Sequence, residues 1–134
     1  TDLMPGMKKL QALAEAGKLT KAEVAENSVR LLSPIPRPVS MRDGYAFRQH
    51  VEAARRNRGV PMIPEFDQFP IFYFTNHLGV SGPGDIQVQK LAQEKLDFEL
   101  ESAIVIGRGG KNIPSNQADD HIFGYMIWND WSAR

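Results

Sequence analysis

Three carboxylates at two-residue spacing pose the first chemical question: Asp97, Glu99 and Glu101 alternate with Leu96, Phe98 and Leu100. On a strand, successive side chains point to opposite faces, so the acids share one face and the apolar residues the other. Acids in such a row, about 7 Å apart, repel one another unless they are solvated, protonated or neutralised by a cation. The same spacing lets two oxygen donors reach one hard divalent ion. Two readings therefore stand: a metal-binding face, or the solvated outer face of a half-buried sheet. Asp43 and Asp130 also lack a local explanation, whereas Asp119 and Asp120 fall early in a short helix capped by Ser115, where the helix dipole favours acids. Four carboxylates (Asp43, Glu99, Glu101, Asp130), no cysteine and only three histidines favour magnesium, manganese or calcium over zinc. His50 stands seven residues after Asp43. It reads either as a base beside that acid or as an ordinary surface histidine. There is no HExxH among His50, His77 and His121, and no GxSxG elbow.

The elements that must position these groups follow from periodicity and turn chemistry. Residues 4–28 read as helix: Met7, Leu10, Leu13 and Ala14 recur at helical spacing, and Thr20–Glu23 has the pattern of a capping box after Gly17. Val29–Leu32 reads as a short strand, stopped by Ser33–Pro38, whose three prolines make either a rigid strap or a proline-recognition segment. Asp43–Arg58 reads as a second helix with Phe47, Val51 and Ala54 as its apolar stripe. Asp43 and His50 would then share a face about 10 Å apart along the axis. Ile71–Thr75 is an aromatic strand, Ser81–Asp85 a tight turn or a backbone approach to a ligand, and Ile86–Val88 a further short strand. Leu96–Ile106 is the long strand. Gly107–Asn112 is a turn and not a phosphate loop, because Asn112 follows Lys111 where Ser or Thr is required. Ser115–His121 is the short helix, and Gly124–Trp128 the last strand.

At 134 residues with 42% hydrophobic content, the chain fits one domain with a core of its own. Sixteen basic and sixteen acidic residues cancel, so no net field favours nucleic acid or an anionic membrane. Arg55, Arg56 and Arg58 form the one basic cluster, read as a solvated helix face or an anion site. No apolar run approaches the ~20 residues of a membrane span, and no signal peptide is evident. The lack of cysteine fits a reducing cytosol, so a cytoplasmic location is expected. The start at Thr1 rather than Met is expected of a processed or cut product.

Three segments then resemble one family in order and spacing: Arg42–His50, Leu96–Glu101 with Val105-Ile106-Gly107, and Ile122–Tyr125 leading into Asn129–Arg134. The chain from about Val29 to its last residue resembles the fumarylacetoacetate hydrolase family. The resemblance implies an α+β, predominantly β fold, a mixed β-roll incomplete in this chain. It implies residues 1–28 as a helical lead-in and 29–134 as the front part of the catalytic domain, continuing past Arg134 to the family's glutamine, lysine and a later glutamate. Asp43, Glu99, Glu101 and Asp130 match metal ligands for Mg2+ (or Ca2+/Mn2+), and His50 matches the base that activates water. Tyr45 and Tyr73 match hydroxyls lining the substrate cleft, and Arg134 matches an arginine that holds substrate oxygens. Asp97 lies beside the site without being a ligand. The implied activity is hydrolysis of a carbon–carbon bond in a 1,3-dicarbonyl acid, fumarylacetoacetate or a close analogue, in tyrosine and phenylalanine catabolism. A small keto acid is the expected partner and a homodimer the expected assembly, with no nucleic acid and no membrane. Acylpyruvase-like and isomerase-like members carry His-x-x-Glu, whereas Ala53 stands at that place after His50, which favours the hydrolase proper. The alternatives are a decarboxylase, isomerase or acylpyruvate hydrolase on the same site, and, in another class, an inactive metal-binding fragment.

Overall fold

A computed structural model of the chain describes residues 4–134; the first three residues of the expected lead-in lie outside the described ones. These residues divide into two compact units, one running up to Arg30 and resuming at Gly84–Arg134, the other Leu31–Pro83. The architecture is α+β, built from helices and two small antiparallel sheets of two strands each. No closed sheet is present among the described residues.

The first unit opens with α1, Met4–Glu15. Gly17, at φ +66°, ends it, with its N–H bonding Ala14 and that of Lys18 bonding Leu13. This pair of backbone bonds around a left-handed glycine is a Schellman cap. The helix therefore stops well short of residue 28. Thr20 lies inside a single 3-10 turn, Thr20–Ala22, without acting as a cap, and Glu26–Ser28 forms another turn. The expected strands Val29–Leu32 and Ile86–Val88 do not form, because neither segment has a partner ladder to satisfy its backbone groups.

The long hairpin of this unit is β3, Leu96–Ile106, against β4, Ile122–Ala133. β4 extends the expected Gly124–Trp128 strand through the terminal Asn129–Ala133 segment. The connection holds a 3-10 helix, Ser115–His121, capped at Pro114 instead of Ser115. Where the ribbon opens, the N–H groups of Gly107 and Arg108 both donate to the His121 carbonyl. A Cβ on Gly107 would meet that of Phe123 at 2.8 Å, so this close approach requires glycine. The alternation along β3 is as expected, but the exposure is not. Phe98 and Leu100 are 63% and 73% exposed, and Ile104, Tyr125 and Ile127 are exposed as well, while Glu99 and Glu101 are half-buried. A two-stranded ribbon is one layer and cannot bury its own apolar face.

The second unit contains β1, Arg42–Gly44, paired with β2, Phe72–Phe74, and α2, Arg48–Asn57. Asp43 is thus on a strand, and the expected helix begins five residues later with Phe47 at its N-cap. Asp43 and His50 consequently do not share a helix face. Val51 of α2 is 3% exposed, and Val51 and Ser33 are the only buried residues described. The expected core is not assembled by these residues.

Candidate functional site

The geometry of the acids follows from the β3–β4 register. Glu99 pairs with Asp130, Asp97 with Ser132 and Glu101 with Trp128. Alternation then puts Asp97, Glu99, Glu101 and Asp130 on one face of the ribbon. Glu101 and Asp130 each bring a carboxylate oxygen within 4.8 Å of the other. Like charges directly opposite one another across a ladder destabilise it, so this face requires compensation. Part of it comes from Arg134. Its backbone N–H bonds the Lys95 carbonyl at 2.9 Å, continuing the ladder one step beyond Ala133. Its Nε donates to Asp97 Oδ2 at 3.0 Å and its Nη2 to Glu99 Oε1. The Arg134 hydrogen bond first, and the Phe98 N–H on the other oxygen second, hold the Asp97 carboxyl below its ordinary range. The two carboxylates in turn raise the Arg134 guanidinium above its usual value. The Arg134 guanidinium thus compensates Asp97 and Glu99, two of the four carboxylates on this face. All its donors are oxygens, the set a hard divalent cation takes.

In the second unit, the Asp43↔Tyr73 pair of the β1–β2 register brings the Tyr73 hydroxyl to donate to Asp43 Oδ2. The same short ribbon carries an aromatic clamp on a cation. Phe72 and Phe74 stand edge to face, their ring centroids 5.9 Å apart, and the Arg42 guanidinium carbon lies 4.7 Å from the Phe74 centroid. Tyr45 is exposed, just after β1, and His50 is exposed in the first turn of α2. Arg48, on that turn, bonds both oxygens of Asp67 at 2.5 and 2.6 Å and Glu52 at 3.0 Å, tying the helix to the 3-10 turn Pro64–Asp67. Thus Glu99, Glu101, Asp130 and Arg134 come together on one ribbon, and Asp43 with Tyr73 on the other.

Sequence reasoning missed the partnership of Asp97 with Arg134. Its only signal is that Asp97 is level with Ser132 and Arg134 with Lys95, which makes Asp97 and Arg134 diagonal neighbours on one face, visible once the hairpin register is known.

The family model described as "Fumarylacetoacetate (FAA) hydrolase C-terminal" matches residues 40–134, which include both ribbons. The chain belongs to the fumarylacetoacetate hydrolase family. A fumarylacetoacetase of Oryza sativa subsp. japonica is 37% identical over 120 residues, covering 72% of this chain and 28% of its own. The oxaloacetate tautomerase YisK of Bacillus subtilis is 33% identical, covering 81% of this chain and 35% of its own. The mitochondrial oxaloacetate tautomerase fahd2 of Xenopus laevis is 32% identical, covering 96% and 38%. The chain therefore spans about a third of the length of these relatives. No solved structure matches it. No helix among the described residues is long and apolar enough to cross a membrane.

Proposed function

We propose that this chain is the front part of a metal-dependent enzyme acting on small keto acids. On this reading residues 29–134 contribute to a catalytic domain that continues as a mixed β-roll, after a helical lead-in, in a homodimer. The observation that carries it is the register of β3 on β4, which sets Glu99 across from Asp130 with Glu101 and Arg134 on the same face. A divalent cation held there, Mg2+ or alternatively Ca2+ or Mn2+, supplies Lewis-acid polarisation of substrate carbonyl oxygens. Glu99, Glu101 and Asp130 hold it, and the family resemblance adds Asp43. The chain's own groups supply the remaining chemistry. His50 takes the proton of the attacking water, suited to that role because an imidazole titrates near neutrality. Arg134 holds the substrate oxygens on which negative charge develops, and Tyr45 and Tyr73 line the cleft.

The specific reaction is hydrolysis of a carbon–carbon bond in a 1,3-dicarbonyl acid, fumarylacetoacetate or a close analogue. The fumarylacetoacetase among the relatives and Ala53 in place of an acid after His50 support it. Keto–enol interconversion of oxaloacetate is the second reading. It is favoured by two relatives named as oxaloacetate tautomerases, which match 81% and 96% of this chain.

The test presents the intact protein that carries this chain with magnesium and either a 1,3-dicarbonyl acid or oxaloacetate, following cleavage products and enol content separately. Cleavage that a chelator removes, and that His50→Ala abolishes while leaving magnesium affinity unchanged, is the expected result. Interconversion without cleavage selects the second reading. Neither activity, or full activity in His50→Ala, overturns the assignment.

A further inference from the structure

Arg134 is half exposed, and an exposed arginine free to rotate makes a poor anchor, because its many rotamers must be frozen each time a ligand binds. In this chain it is not free. Its backbone is fixed by the bond to Lys95, its Nε by Asp97 Oδ2 at 3.0 Å and its Nη2 by Glu99 Oε1. Asp97 is itself fixed, since its second oxygen, Oδ1, accepts from the Phe98 N–H at 2.8 Å. Both oxygens of Asp97 are therefore committed, one to its own strand and one to the guanidinium. The side chains of Asp97 and Arg134 are 48% and 51% exposed, and pairs this exposed add little to stability. The pairing fixes direction. A guanidinium has five N–H donors in a rigid plane. Using Nε and one hydrogen of Nη2 leaves the opposite edge, Nη1 with the second hydrogen of Nη2, as a fork matched to two oxygens of one planar group.

We infer that Asp97 is a positioning residue. It locks the Arg134 guanidinium by the Nε edge so that the Nη1/Nη2 edge is presented, already oriented, to a carboxylate or a pair of carbonyl oxygens of the substrate. This rests on the keto-acid reading above and deepens it. The specificity element becomes a three-part relay, Phe98 N–H to Asp97 to Arg134, and the acid that is not a metal ligand gains a task. Glu99 shares the guanidinium, but its role toward a cation already accounts for it. Asp97 has no other partner among the described residues than Arg134 and its own strand.

The experiment uses the intact protein at fixed saturating magnesium, with malonate as the probe. Malonate presents the planar oxygen pair whether or not the protein turns over any keto acid, so failure of the keto-acid reading shows in the turnover assay and failure of this inference in malonate binding. Calorimetry follows Asp97→Ala in the native background and in Arg134→Ala. Expected is a loss of malonate affinity of about tenfold on Asp97→Ala, the scale of losing a partner that orients a binding group. No further loss is expected when Arg134 is already alanine, since Asp97 then has nothing to position. Magnesium affinity is unchanged by Asp97→Ala. In an arginine side-chain 15N spectrum, the Arg134 Nε–H signal, slow to exchange in the native protein, exchanges rapidly in Asp97→Ala. An equal loss in both backgrounds, no loss at all, or a fall in magnesium affinity as large as that of Glu99→Gln overturns the inference.

Discussion

The two ribbons hold their acids by different means. In the three-residue β1–β2 pair, one acid, Asp43, faces one neutral donor, the Tyr73 hydroxyl. In the β3–β4 hairpin, with strands of 11 and 12 residues, four acids share a face, and two of them, Asp97 and Glu99, share the Arg134 guanidinium. A neutral phenol orients a carboxylate and leaves its charge in place, whereas a guanidinium both orients and neutralises. The long ribbon thus meets a crowding of like charge with a cation shared between two of its acids. The short ribbon is a geometric device, with its local cation, Arg42, drawn onto Phe72 and Phe74 instead of the acid.

The largest effect that would sharpen this contrast is on cation binding. Glu99→Gln or Asp130→Asn in the intact protein should weaken magnesium by at least about 100-fold, since a ligand itself is lost and removal of a mere orienting partner already costs about 10- to 100-fold. Asp119→Asn, on the 3-10 helix Ser115–His121, should leave it unchanged. Equal losses for all three in a magnesium titration would mean that the ribbon face is an unspecific acidic surface.

A smaller effect is expected on the short ribbon. Tyr73→Phe removes the donor to Asp43 while the carboxylate keeps its charge. Magnesium affinity should fall by about fivefold, the worth of roughly 1 kcal/mol for one hydrogen bond, with the thermal midpoint little moved. A loss as large as that of Glu99→Gln would break the distinction between orienting and neutralising partners.

The smallest effect is pH-dependent. The Asp97 carboxyl is held down in the folded chain, first by Arg134 and then by the Phe98 N–H, so the folded state binds its proton less readily than the unfolded one. Its contribution is therefore present above the ordinary aspartate value of about 3.9 and is lost as pH falls through the lower, folded value. The difference in thermal midpoint between the native protein and Asp97→Asn should be small near neutrality, as for any exposed pair, and should shrink toward zero in strong acid. A difference that grows as pH falls would show that Asp97 is not held by a cation.

Much of this arrangement was legible in the residues themselves. The period-two alternation of Leu96–Glu101 and the apolar run after it marked β3 to its observed ends, because alternation is a local property of a strand. The first helix was legible in Met7, Leu10 and Leu13, but the reading carried it to residue 28, past the left-handed Gly17 that ends it. Membership of the family followed from three segments whose residue types and order need no coordinates. The β-branched and proline-flanked pieces Val29–Leu32 and Ile86–Val88 misled, since propensity cannot form a strand without a partner. Asp43 misled in the other direction. Its pairing with Tyr73, 30 residues away, prevails over its local aptitude for starting a helix.

By itself, then, the sequence determined which residues could do chemistry, that β3 alternates, and which family the chain belongs to. Only the tertiary structure decided that Glu99 faces Asp130, that Arg134 is shared between Asp97 and Glu99, that Asp43 sits on a strand under a tyrosine hydroxyl, and that Phe98 and Leu100 of β3 lie exposed while Glu99 and Glu101 are the more sheltered. The physical reason is common to all four. Each depends on the register between segments about 30 residues or more apart, or on what covers a face, and neither is encoded in the spacing of residues along one strand.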